Sequence, residues 1–317
     1  MSGVSVARDE ADSAPSAPPA RPRQGRLCQY LAADRAPRLW QELVLIAVGY
    51  YLYRAARNWV PNQPSIALRH ARSVEWFQDQ VHIDIELWLN HLVAHREWLA
   101  QIMNYYYATL HFAVTLGVLV WLFVRRSRIY RRMRTALFAT TLIGLAGFFL
   151  YPLAPPRLLP QYGYVDTLYT FHTWGSLADP AIAEHTNQYA AMPSLHLAWS
   201  VWCGAAIYFC ARRLWVRSLG VAYPICTLIV IIGTANHFMI DAIAGAVAAA
   251  AGFGAQWLLS GRPAHIPTPT RERAGTARRP ELVGVWMRDP AAADRAAADA
   301  PDSPVRRRAA GTRPPPR

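Results

Sequence analysis

Of the 317 residues, 53% are hydrophobic and only 17% charged, which is too apolar for an ordinary soluble protein. The 33 basic residues are all arginine and outweigh 20 acidic ones, giving a formal charge of +13. They cluster between apolar spans and in the tails, as topology signals do, so anionic lipid headgroups at the cytoplasmic tails are the expected partner and nucleic acid is not.

Residues 1–37 are rich in Ala, Pro, Arg and Ser without apolar periodicity, which predicts a disordered cytoplasmic tail; no apolar core follows Met1 as in a signal peptide. A membrane domain follows over 38–261. A bilayer core of about 30 Å needs roughly 20 apolar residues per helix. Six segments approach that, at 39–60, 98–124, 134–152, 192–211, 217–234 and 237–259. Residues 65–95 differ, because Trp76, Phe77, Val81, Ile85, Leu87, Leu89 and Leu92 alternate with charges; they read as amphipathic helix at the interface. Residues 262–317 form a second basic, disordered tail. The fold class expected is all-α, a polytopic six-helix membrane bundle with an interfacial amphipathic segment and disordered tails.

Orientation follows from arginine placement. The segment 125–134 holds six arginines, and Arg212, Arg213 and Arg217 lie between spans four and five. The opposite loops hold Arg69, Arg72, Arg96 and Arg157. Both termini are therefore expected in the cytoplasm of a multi-pass cell-membrane protein, with the ends bearing Arg157, His196 and His237 extracytoplasmic.

Those three residues mark the candidate chemistry. His237 and Asp241 stand at i and i+4 at the start of span six, on one helix face. An ionisable pair on an apolar span is costly unless it lines a cavity. A carboxylate that takes one imidazole N–H leaves the other nitrogen free as nucleophile or base. His196 follows Pro193 and Ser194 at a helix mouth, where free N–H groups favour an anion and a histidine could protonate a leaving oxygen. Arg157, in a proline-stiffened stretch, offers a guanidinium that matches phosphate. Arg54 and Arg57 near the outer end of span one, and Asp166 in the following loop, are possible substrate contacts; snorkelling and a turn role are the plainer readings of these three. His70, His82, His91, His95, His172 and His185 show no metal-ligand spacing, and the four cysteines form no zinc or redox motif, so no metal and no cofactor is expected.

Pro193-Ser194-Leu195-His196 and His237 to Asp241 resemble the Pro-Ser-x-His and His-x-x-x-Asp motifs of the type-2 phosphatidic acid phosphatase superfamily. The resemblance covers roughly residues 40–260, and the chain looks most like the branch containing the inositol phosphorylceramide synthases. It implies that His237 is the nucleophile of a phosphohistidine intermediate, Asp241 orients it and His196 protonates the leaving alcohol. Arg157 and Ser194 would hold the phosphate oxygens. Three positions depart from the phosphatase branch: Leu150 stands where it has Lys, Ile231 where it has Arg, and Leu195 where it usually has Gly. Fewer cations favour phospho-headgroup transfer between lipids over hydrolysis of lipid or polyprenyl phosphates. A non-catalytic membrane transporter or binding protein is the further alternative.

Overall fold

The computed structural model describes residues 38–59, 63–173 and 188–267. The tails expected at 1–37 and beyond 267 lie outside the described residues, as do His185 and the side chain of Arg57. The described residues are helical, apart from loops and one isolated bridge between Leu153 and Ala190. In chain order the helices are α1 (Leu39–Trp59), α2 (Pro64–Gln80), α3 (Glu86–Ala94), α4 (Glu97–Tyr105), α5 (His111–Arg125), α6 (Ser127–Leu150), α7 (Thr167–Thr170), α8 (Leu195–Cys210), α9 (Leu214–Gly233) and α10 (Met239–Ser260). A π-helical turn, Tyr106–Leu110, joins α4 to α5.

Four of these are long and apolar enough to cross a membrane: Glu97–Arg125 (α4, the π turn and α5), α6, α9 and α10. The other two expected spans differ for identifiable reasons. Helix α8 is apolar but 16 residues long, about 24 Å at 1.5 Å per residue. Helix α1 has 21 residues but carries Glu42, Arg54 and Arg57, which dilute its apolar face. Helix α6 starts seven residues earlier than its hydropathy predicts. Its first turns take in Arg131, Arg132 and Arg134, all buried, and Arg134 pairs with the buried Glu42 of α1. A charge cluster that reads as a loop is here a helix end whose guanidinium groups are used in packing.

The helices pack through close backbone approaches and large interlocking side chains. Gly204 of α8 meets Gly220 of α9 so tightly that a Cβ on Gly204 would stand 2.4 Å from the Gly220 carbonyl oxygen. Trp202, fully buried, donates its indole N–H to the Met133 carbonyl at 2.9 Å, tying α8 to α6. Chain beyond α10 also packs: Ala264 is buried and Arg132 donates to the Ile266 carbonyl at 2.7 Å, so order continues past the expected boundary at 261.

The 65–95 segment forms α2 and α3. Its polar positions Gln78, Glu86 and Asn90 are fully buried. Glu86 accepts from the Met239 N–H at 2.5 Å and Gln78 from the Ile240 N–H at 2.9 Å, so these two side chains cap α10 from another part of the chain. His70 and His91 bond the Pro152 and Gly163 carbonyls, each at 2.8 Å, which gives both a structural use.

Candidate active site

Three loops meet at one end of the helices. After α6, Leu153 donates its N–H to the Tyr189 carbonyl at 2.8 Å, and Ala191 donates to the Leu153 carbonyl at 3.2 Å. The Arg157 N–H donates to the Ala235 carbonyl at 2.9 Å, and the Ser194 N–H to the Asp241 carbonyl at 2.9 Å. These four bonds join segments 151–158, 189–194 and 234–241, which carry Arg157, Ser194 and His237. The arginine-rich segments at 125–134 and 212–217 lie at the opposite ends of α5, α6, α8 and α9.

The His237–Asp241 contact forms, but not within a helix. His237 lies in the turn before α10, whose N-cap is Phe238, and its Nδ1 donates to Asp241 Oδ2 at 3.0 Å. Both side chains are buried, and His237 Nε2 has no hydrogen-bond partner among the described residues. With Nδ1–H fixed on the carboxylate, Nε2 presents a lone pair. The backbone N–H groups of Asn236 and His237 both go to the Ile231 carbonyl, at 3.0 and 3.2 Å, and so hold this turn.

His196 sits in the first turn of α8, where Ser194 is the N-cap and its Oγ accepts from the Leu197 N–H at 3.4 Å. Its ring is half-buried, 5.7 Å from the His237 ring. Two imidazoles at this separation could serve a phosphorus atom between them, one as nucleophile and the other as proton donor.

Arg157 is 6% exposed and ordered by three acceptors. Nε donates to Asn236 Oδ1 at 3.1 Å, Nη1 to Asp166 Oδ2 at 2.9 Å and Nη2 to Gln188 Oε1 at 3.1 Å. A guanidinium has five N–H donors, so two are left for an anion. Asn236 adjoins His237, which places the guanidinium beside that imidazole. Asp166 takes the turn role: Oδ1 caps α7 through the Leu168 and Tyr169 N–H groups, both at 3.1 Å, while Oδ2 pairs with Arg157. Arg54 is exposed on α1 and makes no hydrogen bond or ion pair to the site among the described residues.

Other residues at the site do not stand out in the sequence. The His111 ring lies 4.1 Å from the His196 ring, and Tyr107 stacks on His196 at 4.1 Å with 19° between the planes. The signal for both was a histidine inside an apolar span, one turn beyond a tyrosine. Glu86 is the second case. Burial, offset in part by its bonds to Met239, its own backbone N–H and Gln78, raises its carboxyl from 4.5 to about 7. No cluster of His, Cys, Asp and Glu among the described residues has the grouping of a metal site.

Residues 73–255, more than half of the chain, match the family model described as the PAP2 superfamily. Comparison with curated proteins and with solved structures gives no match.

Proposed function

The chain belongs to the PAP2 superfamily of membrane phosphatases and phosphotransferases, and on that premise we propose that it transfers phosphoryl or phospho-headgroups of lipids through a phosphohistidine on His237. The observation that carries this is the buried His237 Nε2, with Nδ1 on Asp241 and the His196 ring 5.7 Å from its own. In the first half-reaction Nε2 attacks phosphorus, the P–O bond to the leaving alcohol breaks and His196 gives that oxygen its proton. In the second, His196 takes a proton from the acceptor as its oxygen attacks, and the P–N bond breaks. Asp241 stabilises the positive charge that develops on His237. Arg157 and the N-terminal N–H groups of α8 neutralise the phosphate oxygens, with Ser194 capping that terminus. Asp166 holds Arg157 in place, while the exposed Arg54 on α1 is left to meet a headgroup, a role also open to Arg57 by its sequence position.

A lipid fits the surroundings. An apolar cavity of about 250 Å³ between α1, α5, α6 and α8 is lined by Tyr53, Phe112, Leu116, Leu137 and Trp199. Phe112 and Trp199 both reach the His111 ring, within 3.8 and 6.0 Å, so the cavity adjoins the site. On this reading α1 and α8 complete six spans, α2 and α3 lie at the interface, and the site is extracytoplasmic because the arginine-rich loops take the opposite, cytoplasmic side.

Transfer is favoured over hydrolysis by charge. Ile231 is buried among Leu197, Ile232 and Ala242, and Leu150 is 82% exposed on α6. Among the described residues, Arg157 is the guanidinium bonded into the site. One cation matches the single charge of a phosphodiester better than the two of a monoester. The test is to offer purified protein a headgroup-labelled phosphatidylinositol and a lipid alcohol. The expected result is label on the acceptor lipid. Release of free phosphate from a monoester, with no transfer product, favours the hydrolase instead.

A further inference from the structure

We propose that His111 is a positioning residue for phosphoryl transfer, which keeps the His196 ring oriented and supplied with its proton. The inference rests on the reading of His196 as the leaving-group acid.

Three features of the structure support it. The first is contact: His111 and Tyr107 both touch the His196 ring, each at a centroid separation of 4.1 Å. The second is the backbone that presents them. Tyr107 lies within a π-helical turn, 106–110, and His111 directly follows it, in an otherwise regular 29-residue span. Such turns are rare and concentrate at functional sites, because they re-aim side chains at the cost of regular hydrogen bonding. The third is burial. His111 is 3% exposed inside an apolar span, where an ionisable side chain is costly unless its environment uses it.

The chemistry follows from proximity. Two imidazoles in contact do not both carry a charge without strong repulsion, so the pair carries at most one positive charge. His196 passes its proton to the leaving oxygen in the first step and regains one from the acceptor in the second. His111 undergoes no net change. It shares the charge while His196 is protonated and, with Tyr107, fixes the plane in which the N–H is offered.

Leaving-group dependence separates this role from simple packing. An alkyl phosphate ester needs a proton on its departing oxygen, whereas a p-nitrophenyl ester leaves as a stable anion without one. In His111→Gln, kcat/KM, which reports P–O cleavage and not the resolving step the two esters share, should fall roughly tenfold or more for an alkyl ester and less than about threefold for the p-nitrophenyl ester. His111→Phe keeps a ring but no nitrogen and should show the same split, which covers the case in which the Gln variant does not fold. Equal slowing of both esters, no slowing of either, or full alkyl activity in the Phe variant overturns the proposal. His196→Ala distinguishes the two failures. Alkyl activity lost in His196→Ala but kept in His111→Gln refutes the role of His111 alone, whereas alkyl activity kept in His196→Ala refutes the reading beneath it.

Discussion

The close approach of α10 to the Ser194 loop offers a sharp test of how the site is held together. A Cβ placed on Gly245 would stand 2.3 Å from the Ser194 carbonyl oxygen and 3.1 Å from its carbonyl carbon. A carbon meets a carbonyl oxygen comfortably at about 3.3 Å, so Gly245→Ala forces a separation of about 1 Å. The obstacle is backbone, which no rotamer change relieves. One turn earlier on α10, Asp241 accepts the Ser194 N–H at 2.9 Å, and two residues beyond Ser194 stands His196. The displacement therefore passes directly into the His196–His237 separation. A misplacement of about 1 Å costs around 10²-fold in rate, and overpacking of this kind costs about 1–3 kcal/mol of stability. Gly254→Ala, on the same helix, is the control, because its Cβ would have nothing within 4 Å. Turnover of a lipid ester in mixed micelles, read beside thermal unfolding of the same preparations, should show Gly245→Ala folded but about a hundredfold slower and Gly254→Ala unchanged. A Gly245→Ala enzyme within threefold of wild type would refute the idea that this contact sets the site geometry.

Other perturbations act on separate parts of the site. Asp241→Asn keeps a side chain of the same shape but loses the charge that fixes the His237 tautomer, so kcat should fall by about 10²–10⁴ with KM nearly constant in steady-state kinetics. Arg157→Lys replaces a three-way fork with a point charge and leaves Asn236 and Gln188 without donors; KM should rise and kcat fall, together about 10²-fold in kcat/KM. Ile231→Arg should reduce the yield of folded protein on size-exclusion chromatography without creating a phosphatase, since position 231 is 1% exposed; Leu150→Lys, on an exposed position, should fold normally. Glu86 gives a pH dependence. Its carboxyl is raised to about 7 in the fold from 4.5, so its contribution to stability is complete below pH 4.5 and is lost as pH rises through 7. The Tm should fall between pH 5 and 8, and Glu86→Gln should flatten that slope; equal slopes in the two proteins would count against it.

What the sequence made legible, and what it did not, divides along physical lines. That His196, His237 and Asp241 come together was legible because short motifs at helix mouths carry their own geometry, and the contact from His237 to Asp241 survives although His237 stands outside the helix. Arg157 was readable as an isolated arginine on the arginine-poor side, and the fold sets it beside Asn236, next to His237. Its three acceptors were not readable, because Asn236, Asp166 and Gln188 come from separate loops joined by long-range backbone bonds that leave no trace in local pattern. The alternation over 65–95 identified a polar face but not what covers it; Gln78 and Glu86 turn that face onto the start of α10. Hydropathy found the α4–α5 span and could not show its π turn, because a one-residue shift in helical hydrogen bonding leaves the apolar pattern unchanged.

The most direct test of the account is to trap the intermediate. Protein mixed with a ³²P-labelled lipid ester and quenched within the first turnovers should carry label that is stable to alkali and labile to acid, as a phosphoramidate is. Peptide mapping should place it on His237, and it should be absent from His237→Ala and longer-lived in His196→Ala, where the resolving step lacks its base. Rapid turnover with no labelled protein, or label retained in His237→Ala, would contradict the account.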